Sequence, residues 1–276
     1  MADTAFQTQY RDEFIAGFEQ RQSLVRQTVT TEAEVKGNSA VFLVADSGSA
    51  AAVTRGVNGL IPARADSLTQ NTATLAEWHD LVRRTGFNLY ASQGDGRRIM
   101  QETTMGVINR KIDSDIITAL ETGTQDTGVA ATASLSLAMY GLTVLGNNSV
   151  PLDGNISALI TPAFYAYLMQ TKEFASADYV NNKPFEGGMT MFRWANVNWI
   201  VHPNLTGKGT AAEKCIMYHK SAIGHACDMT SVQSAVGYDE EQDYSFARCS
   251  TYMGSKLIQN SGVVVLNHDG SAFAAQ

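Results

Sequence analysis

A chain of 276 residues with 44% hydrophobic and 17% charged content is long enough for one large or two smaller cored domains, and its composition is that of a folded protein rather than a disordered one. Its formal net charge of −7 excludes a general nucleic-acid-coating protein, because phosphate binding needs a cationic face; local basic patches stay open. No stretch approaches the ~18 apolar residues of a membrane span, and Met1-Ala2-Asp3-Thr4-Ala5-Phe6 has neither the cationic start nor the apolar core of a secretion signal.

Phe6, Tyr10, Phe14 and Phe18 recur every fourth residue, a helical stripe that fits either a helix on its own core or an arm on a neighbouring subunit. A polar connector, Gln27 to Asn38, follows. Ser39 to Ala45 reads as a strand, and Thr72 to Val82 as its return run. Between them, Asp46 to Asn71 holds three glycines, one proline and few large apolar residues. A two-stranded arm of this kind is marginal alone in water, so another part of the molecule or another molecule must hold it.

A long helix is predicted from about Asp95 to Thr122, with Ile108, Ile112, Ile116 and Leu120 at i, i+4 spacing, Gly106 near its middle and Gly123 as a C′ glycine. At 1.5 Å per residue it spans roughly 40 Å. Ser134 to Leu145 reads as a short helix and Ile156 to Ile160 as a strand. Thr161-Pro162 supplies an N-cap and N1 pair for a helix through about Gln170. Met189 to Val201, Cys215 to Tyr218, Tyr244 to Leu257 and Val263 to Asn267 read as strands, and no internal repeat is present.

Catalytic signatures are missing: the sequence contains no P-loop, no GxGxxG after a strand, no GxSxG and no HExxH. His219, His225 and Cys227, with Cys215 or Asp228, form the best metal candidate, but no second Cys/His pair stands at finger spacing. Cys215, Cys227 and Cys249, an odd number without a CxxC, fit buried thiols of a reducing cytoplasm. Nothing favours Cys227 with a distant His268 as a nucleophilic pair. Asp239-Glu240-Glu241 and Asp243 read as a solvated acidic run. Phe192, Trp194 and Trp199 break the parity of one strand, which favours core packing over a stacking platform. The expectation is a protein that is not an enzyme and takes no cofactor or metal.

The whole order resembles the major capsid protein of tailed bacteriophages, with the Hong Kong 97-type fold. Ala158-Leu159-Ile160-Thr161-Pro162-Ala163-Phe164-Tyr165 is similar to that family's axial strand running into a helix, and Val197 to Pro203 to the strand before the axial loop. Tyr218 to Gly224 and Ala247 to Asn267 resemble its later common stretch and closing strands. The resemblance implies an α+β fold with an N-terminal arm (1–36), an extended E-loop hairpin (37–90), a peripheral domain with the spine helix (91–127), an axial α/β domain (128–236) and return strands to the periphery (237–276).

It further implies a shell of hexamers and pentamers around double-stranded DNA in a virion, assembled in the host bacterial cytoplasm. The partners implied are a separate scaffolding protein, a portal and a decoration protein, with no membrane. Phe6, Tyr10, Phe14, Phe18 and Trp78 become intersubunit contacts, with Arg55 and Arg64 partners for a neighbour's carboxylates. Arg11, Arg21, Arg26, Arg97, Arg98 and Lys111 become subunit or DNA contacts. The chain departs from the family's crosslinking members, because no lysine lies between Gly37 and Val82, which points to a noncovalent clasp. An arm beginning at Met1 with no fused scaffolding segment argues against proteolytic maturation. An encapsulin-like nanocompartment shell and, from another class, a small-molecule-binding or hydrolytic α/β domain are the alternatives.

Overall fold

The computed structural model describes residues 20–32, 35, 37–47, 50–91, 96–175, 191–228 and 233–273. In chain order the elements are β1 (Thr30–Glu32), β2 (Ser39–Asp46), β3 (Ser67–Thr74), β4 (Ala76–Thr85), α1 (Gly86–Ala91), α2 (Gly96–Leu120), α3 (Leu135–Asn147), β5 (Ile156–Ile160), α4 (Pro162–Leu168), α5 (Lys172–Ala175), β6 (Met191–Trp194), β7 (Val197–Val201), β8 (Glu213–His219), β9 (Ile223–Cys227), β10 (Gln233–Asp239), β11 (Tyr244–Leu257) and β12 (Val263–His268).

The apolar stripe of α2 behaves as its spacing requires, with Ile108, Ile112, Ile116 and Leu120 all buried. The helix runs unbroken through the buried Gly106 and spans roughly 37 Å at 1.5 Å per residue. Gly123 is not the left-handed C′ residue the sequence suggests, for it is absent from the positive-φ glycines. It is needed for close packing: a Cβ there would lie 3.1 Å from Val263 Cγ1. Two further helices, α3 and α4, start at side-chain caps. Ser134 Oγ accepts from Leu137 N at α3, and Thr161 Oγ1 from Phe164 N at α4, 3.2 Å in each case.

One mixed sheet has the order β12-β8-β5-β7-β6, with only β5 and β7 parallel. All five residues of β5 are buried because both faces of the sheet are covered. Leu159, Ile200, Ile216, Tyr218 and Val263 join the isoleucines of α2 in one core. The alternate positions Ala158, Ile160, Trp199, Met217 and Leu266 join Phe164, Leu168 and Phe174 in a second. Each large apolar side chain buried this way contributes about 1.5–3 kcal/mol.

The strand expected over Met189–Val201 is interrupted. Ala195 and Asn196 both take positive φ, 51° and 60°, the conformation of a tight hairpin turn. The turn makes Phe192 and Trp199 register partners, with rings 6.2 Å apart and inclined by 4°. The change of parity between Trp194 and Trp199 comes from this turn, which divides one expected strand into two.

The second sheet is organised by β11, whose 14 residues serve three partners. Its first part carries β10 on one edge and β4 on the other, and its last residues, Met253–Leu257, pair with β9, which in turn holds β1. The acidic run closes the β10–β11 hairpin, where Asp239 Oδ1 accepts from Glu241 N and Gln242 N at 3.0 and 3.2 Å.

Trp199 is fully buried among Phe164, Phe192 and Trp194. Trp199→Ala is therefore expected to cost about 3–5 kcal/mol, measured as a lowered denaturant midpoint with unchanged slope.

Candidate assembly surfaces

The excursion after the N-terminal connector is a strap with two unlike halves. β2 and β3 pair from Ser39↔Thr74 to Asp46↔Ser67, not over the return run expected from the sequence. β3 stops at Thr74, and the chain resumes as β4, which leaves the hairpin for β11. The break falls where the strap crosses β11, and a Cβ at Gly254 would collide with the carbonyl oxygen of Thr74.

At its root the strap rests on its own subunit. Ala40 and Ala73 are buried, and Asn71 Nδ2 donates to Ile258 O at 3.2 Å. The ring of Phe42 lies where a side chain at Gly224 would be, within 2.6 Å of an added Cβ. The opposite face exposes Val41, Leu43 and Leu68. Beyond the root nothing covers the chain, and every residue from 50 to 70 is exposed, including Val53, Val57, Leu60 and Ile61. Among the described residues, the bonds that shape the tip are local. Gly59 N donates to Gly56 O at 2.8 Å, Arg55 Nη1 donates to Gly59 O at 3.2 Å, and Arg64 lies 3.7 Å from Asp66. A row of apolar side chains held in water on a tethered hairpin is the form of a contact surface.

The second surface is the root of the N-terminal segment, which docks on a buried carboxylate of α2. Asp113, 1% exposed, accepts from Leu24 N at 3.0 Å and Val25 N at 3.3 Å, and from the side chains of Gln20 and Ser23. Because Asn204 N donates to His202 Nδ1, Nε2 of that ring carries the hydrogen and donates to Asp113 Oδ2 at 3.3 Å. Burial pushes the Asp113 pKa upward, but the bonds from His202, Ser23 and Leu24 outweigh it and hold the carboxyl below the ordinary 3.8. Asp113 stands three and four residues before Ile116 and Ile117, on the apolar face, and that spacing was the available signal for a buried charge.

Several candidate contact residues have partners within the subunit. Arg21 and Arg98 both reach Glu102, at 3.6 and 3.1 Å, and Lys111 Nζ sits 3.8 Å above the half-buried ring of Trp78. Arg26 begins a 3-10 turn leading into β1, and Arg97 falls in the first turn of α2. Phe6, Tyr10, Arg11, Phe14 and Phe18 lie outside the described residues.

The metal candidate does not converge. His219 bonds Ser221 and Asp153, His225 Nδ1 lies 2.9 Å from Ser255 Oγ, and Cys227 faces Thr251. Among the described residues, no three His, Cys, Asp or Glu side chains group as a metal site. Burial lowers His225 to a pKa of about 4, with the charge of Arg26 adding to it, so it is neutral at pH 7. Cys227 and His268 belong to different cores; His268 stands beside Glu213 at 3.7 Å, and Glu213 in turn accepts from Thr161 and from Gly209 N.

The sequence profile of the family described as phage capsid protein matches residues 2–270. No curated protein matches the sequence. Among solved structures, one from Mycobacterium phage Che8 is 16% identical, with 96% of this chain and 98% of that one covered and a TM-score of 0.76. The capsid of cyanophage P-SCSP1u is 12% identical, covering 96% and 93%, with a TM-score of 0.75. The capsid of a native GTA particle is also 12% identical, covering 96% of each chain, with a TM-score of 0.72. At these identities the likeness is one of fold, and two of the three structures are named as capsids.

Two outcomes follow from the geometry. The folded pKa of Asp113 lies below its unfolded value, so its stabilisation is complete above that value and is lost as pH falls through the folded one. Protection of Leu24 and Val25 from hydrogen exchange, taken relative to the intrinsic rate at each pH, should hold at pH 7 and 5 and fall only below about pH 4, whereas Asp113→Asn should lose about 1.5–3 kcal/mol of that protection throughout. Gly224→Ala should push Phe42 off its seat, read as faster exchange at Ala40 to Leu43 with α2 unaffected.

Proposed function

Because the chain belongs to the phage capsid protein family, and is a structural protein of the phage shell, we propose how its own surfaces build that shell. Each strap, residues 37–75, lies across an adjacent subunit and buries Val53, Leu60 and Ile61 there, while Arg55 and Arg64 meet that subunit's carboxylates. The observation that carries this reading is the unbroken exposure of residues 50–70 on a hairpin whose root is seated on its own body. An interface of this kind needs roughly 1,000 Å² of complementary burial, which no surface of the isolated chain supplies to the tip.

The segment before Gln20 leaves the Asp113 dock as an arm, and Phe6, Tyr10, Phe14 and Phe18 clamp a neighbour, with Trp78 at the same contact. Subunits assemble as hexamers and pentamers in the host bacterial cytoplasm, with a separate scaffolding protein, a portal and a decoration protein, and enclose double-stranded DNA. Arg11, Arg21, Arg26, Arg97, Arg98 and Lys111 serve subunit or DNA contacts. With no lysine between Gly37 and Val82, the clasp holds by packing and hydrogen bonds.

Negative-stain microscopy of the expressed chain, with and without a co-expressed scaffold, tests the reading. Particles are expected, and a monodisperse small species under every assembly condition would overturn it. Leu60→Asp with Ile61→Asp should abolish particles while shifting subunit stability by no more than about 0.5 kcal/mol, since both residues are exposed. Intact particles heated in detergent should run as a single monomer band, and a ladder of linked subunits would contradict the noncovalent clasp.

A further inference from the structure

The two sheets exchange strands at one place. β8 passes to β9 through a 3-10 turn, Lys220–Ala222, and β11 passes to β12 through Asn260–Gly262. The crossings are tied together, since Ala222 O accepts from Ile258 N at 2.8 Å and Gln259 N at 3.0 Å. Beside them opens a cavity of about 80 Å³ lined by Val150, Pro151, Gln259 and Gly262, with His219 and Ser221 in its wall.

In that wall Ser221 Oγ stands 2.8 Å from His219 Nδ1, and His219 Nε2 stands 3.2 Å from Asp153 Oδ1. Backbone chemistry selects the tautomer. Ser221 N, which can only donate, points at His219 Nδ1 from 3.3 Å, so Nδ1 holds the lone pair and Nε2 the hydrogen directed at Asp153. Asp153 is itself oriented by Asn155 N at 3.0 Å and Asn155 Nδ2 at 2.8 Å, and these bonds lower its pKa to about 2. Lys220 N donates to Asn155 O at 3.1 Å, joining the carboxylate loop to the turn. The base is buried and the hydroxyl exposed.

We propose that Ser221, with His219 as its base and Asp153 as a positioning residue, is an activated nucleophile toward small acyl and phosphonyl esters. Orienting acid, base with an unprotonated nitrogen and hydroxyl within reach are the three roles such chemistry requires, and here the Nδ1 lone pair is shared between Ser221 N and Ser221 Oγ. The ring nitrogens are used in the order opposite to the common triad, which the roles permit. Attack of Ser221 Oγ on an ester carbonyl forms the C–O bond as the hydroxyl proton passes to His219 Nδ1. Collapse of the tetrahedral species breaks the bond to the leaving alkoxide, which takes that proton. Water, deprotonated by the same nitrogen, then hydrolyses the Ser221 ester. The cavity has about the volume of two or three waters, which suits an acetyl-sized group. The inference does not depend on how straps meet in the shell.

The full chain, as particles and as dissociated subunits, is treated with a fluorophosphonate probe, where a P–O bond forms at Ser221 as fluoride leaves, and the labelled peptide is mapped by mass. Labelling at Ser221 in either form is expected. His219→Gln keeps an acceptor for Ser221 N but takes no proton, so it should label about 100-fold more slowly with an unchanged thermal midpoint. Asp153→Asn should slow labelling by up to about 10⁴-fold, and Asp153→Glu should recover most of it. Ser221→Ala alters only an exposed side chain and should remove p-nitrophenyl acetate hydrolysis. Label at Ser221 no greater than at exposed Ser47, label undiminished in His219→Gln, or hydrolysis undiminished in Ser221→Ala would each overturn the proposal.

Discussion

A single carboxylate inside the core constrains the rest of the molecule. Taking an ionised Asp113 out of water costs several kcal/mol unless donors surround it, and α2 cannot supply them, because the backbone amides within a helix are already committed to its own ladder. The donors come from the N-terminal segment and from His202 at the exit of β7. The charge thus joins three stretches distant in sequence. α2 is pinned along its length, the central sheet is pinned to α2, and the N-terminal segment must lie at one place before it departs. A neutral apolar residue at position 113 would pack the helix equally well and specify none of this.

The two sheets divide the labour that follows. The five-stranded sheet through β5 is buried on both faces and behaves as a rigid slab. The sheet through β11 is long, half-covered and open at its edges, and it carries the projecting parts: β1 from the N-terminal side, and the strap where β3 crosses Gly254. Rigidity and reach are thereby kept apart, with α2 as the member common to both. That separation suits a building unit whose contacts lie beyond its own core.

Legibility in the sequence followed the range of the physics. The isoleucine stripe of α2, the Thr161-Pro162 start of α4 and the alternation of β11 are local signals, and each was readable to within a few residues. The strap was readable as a segment without a core of its own. Its division at Leu75 was not, because the cause is a glycine nearly two hundred residues away. β9 was missed because all five of its residues are buried, which erases the period that marks a strand. The Asp113 dock was not legible: from the sequence Asp113 reads as one more charge on the polar face of α2, and the partners that bury it come together only in three dimensions. The pairing of His219 with Asp153 was hidden for the same reason.

The seat of Phe42 on Gly224 has a mechanical consequence. From that contact to the strap's tip the chain can reach at most on the order of 50 Å, at about 3.3 Å per residue fully extended. The seat is a pivot close to one end of a long lever. A tilt that moves the ring by a fraction of an ångström moves the tip by several. The absence of one methyl group at position 224 therefore sets the angle at which the strap leaves its own subunit.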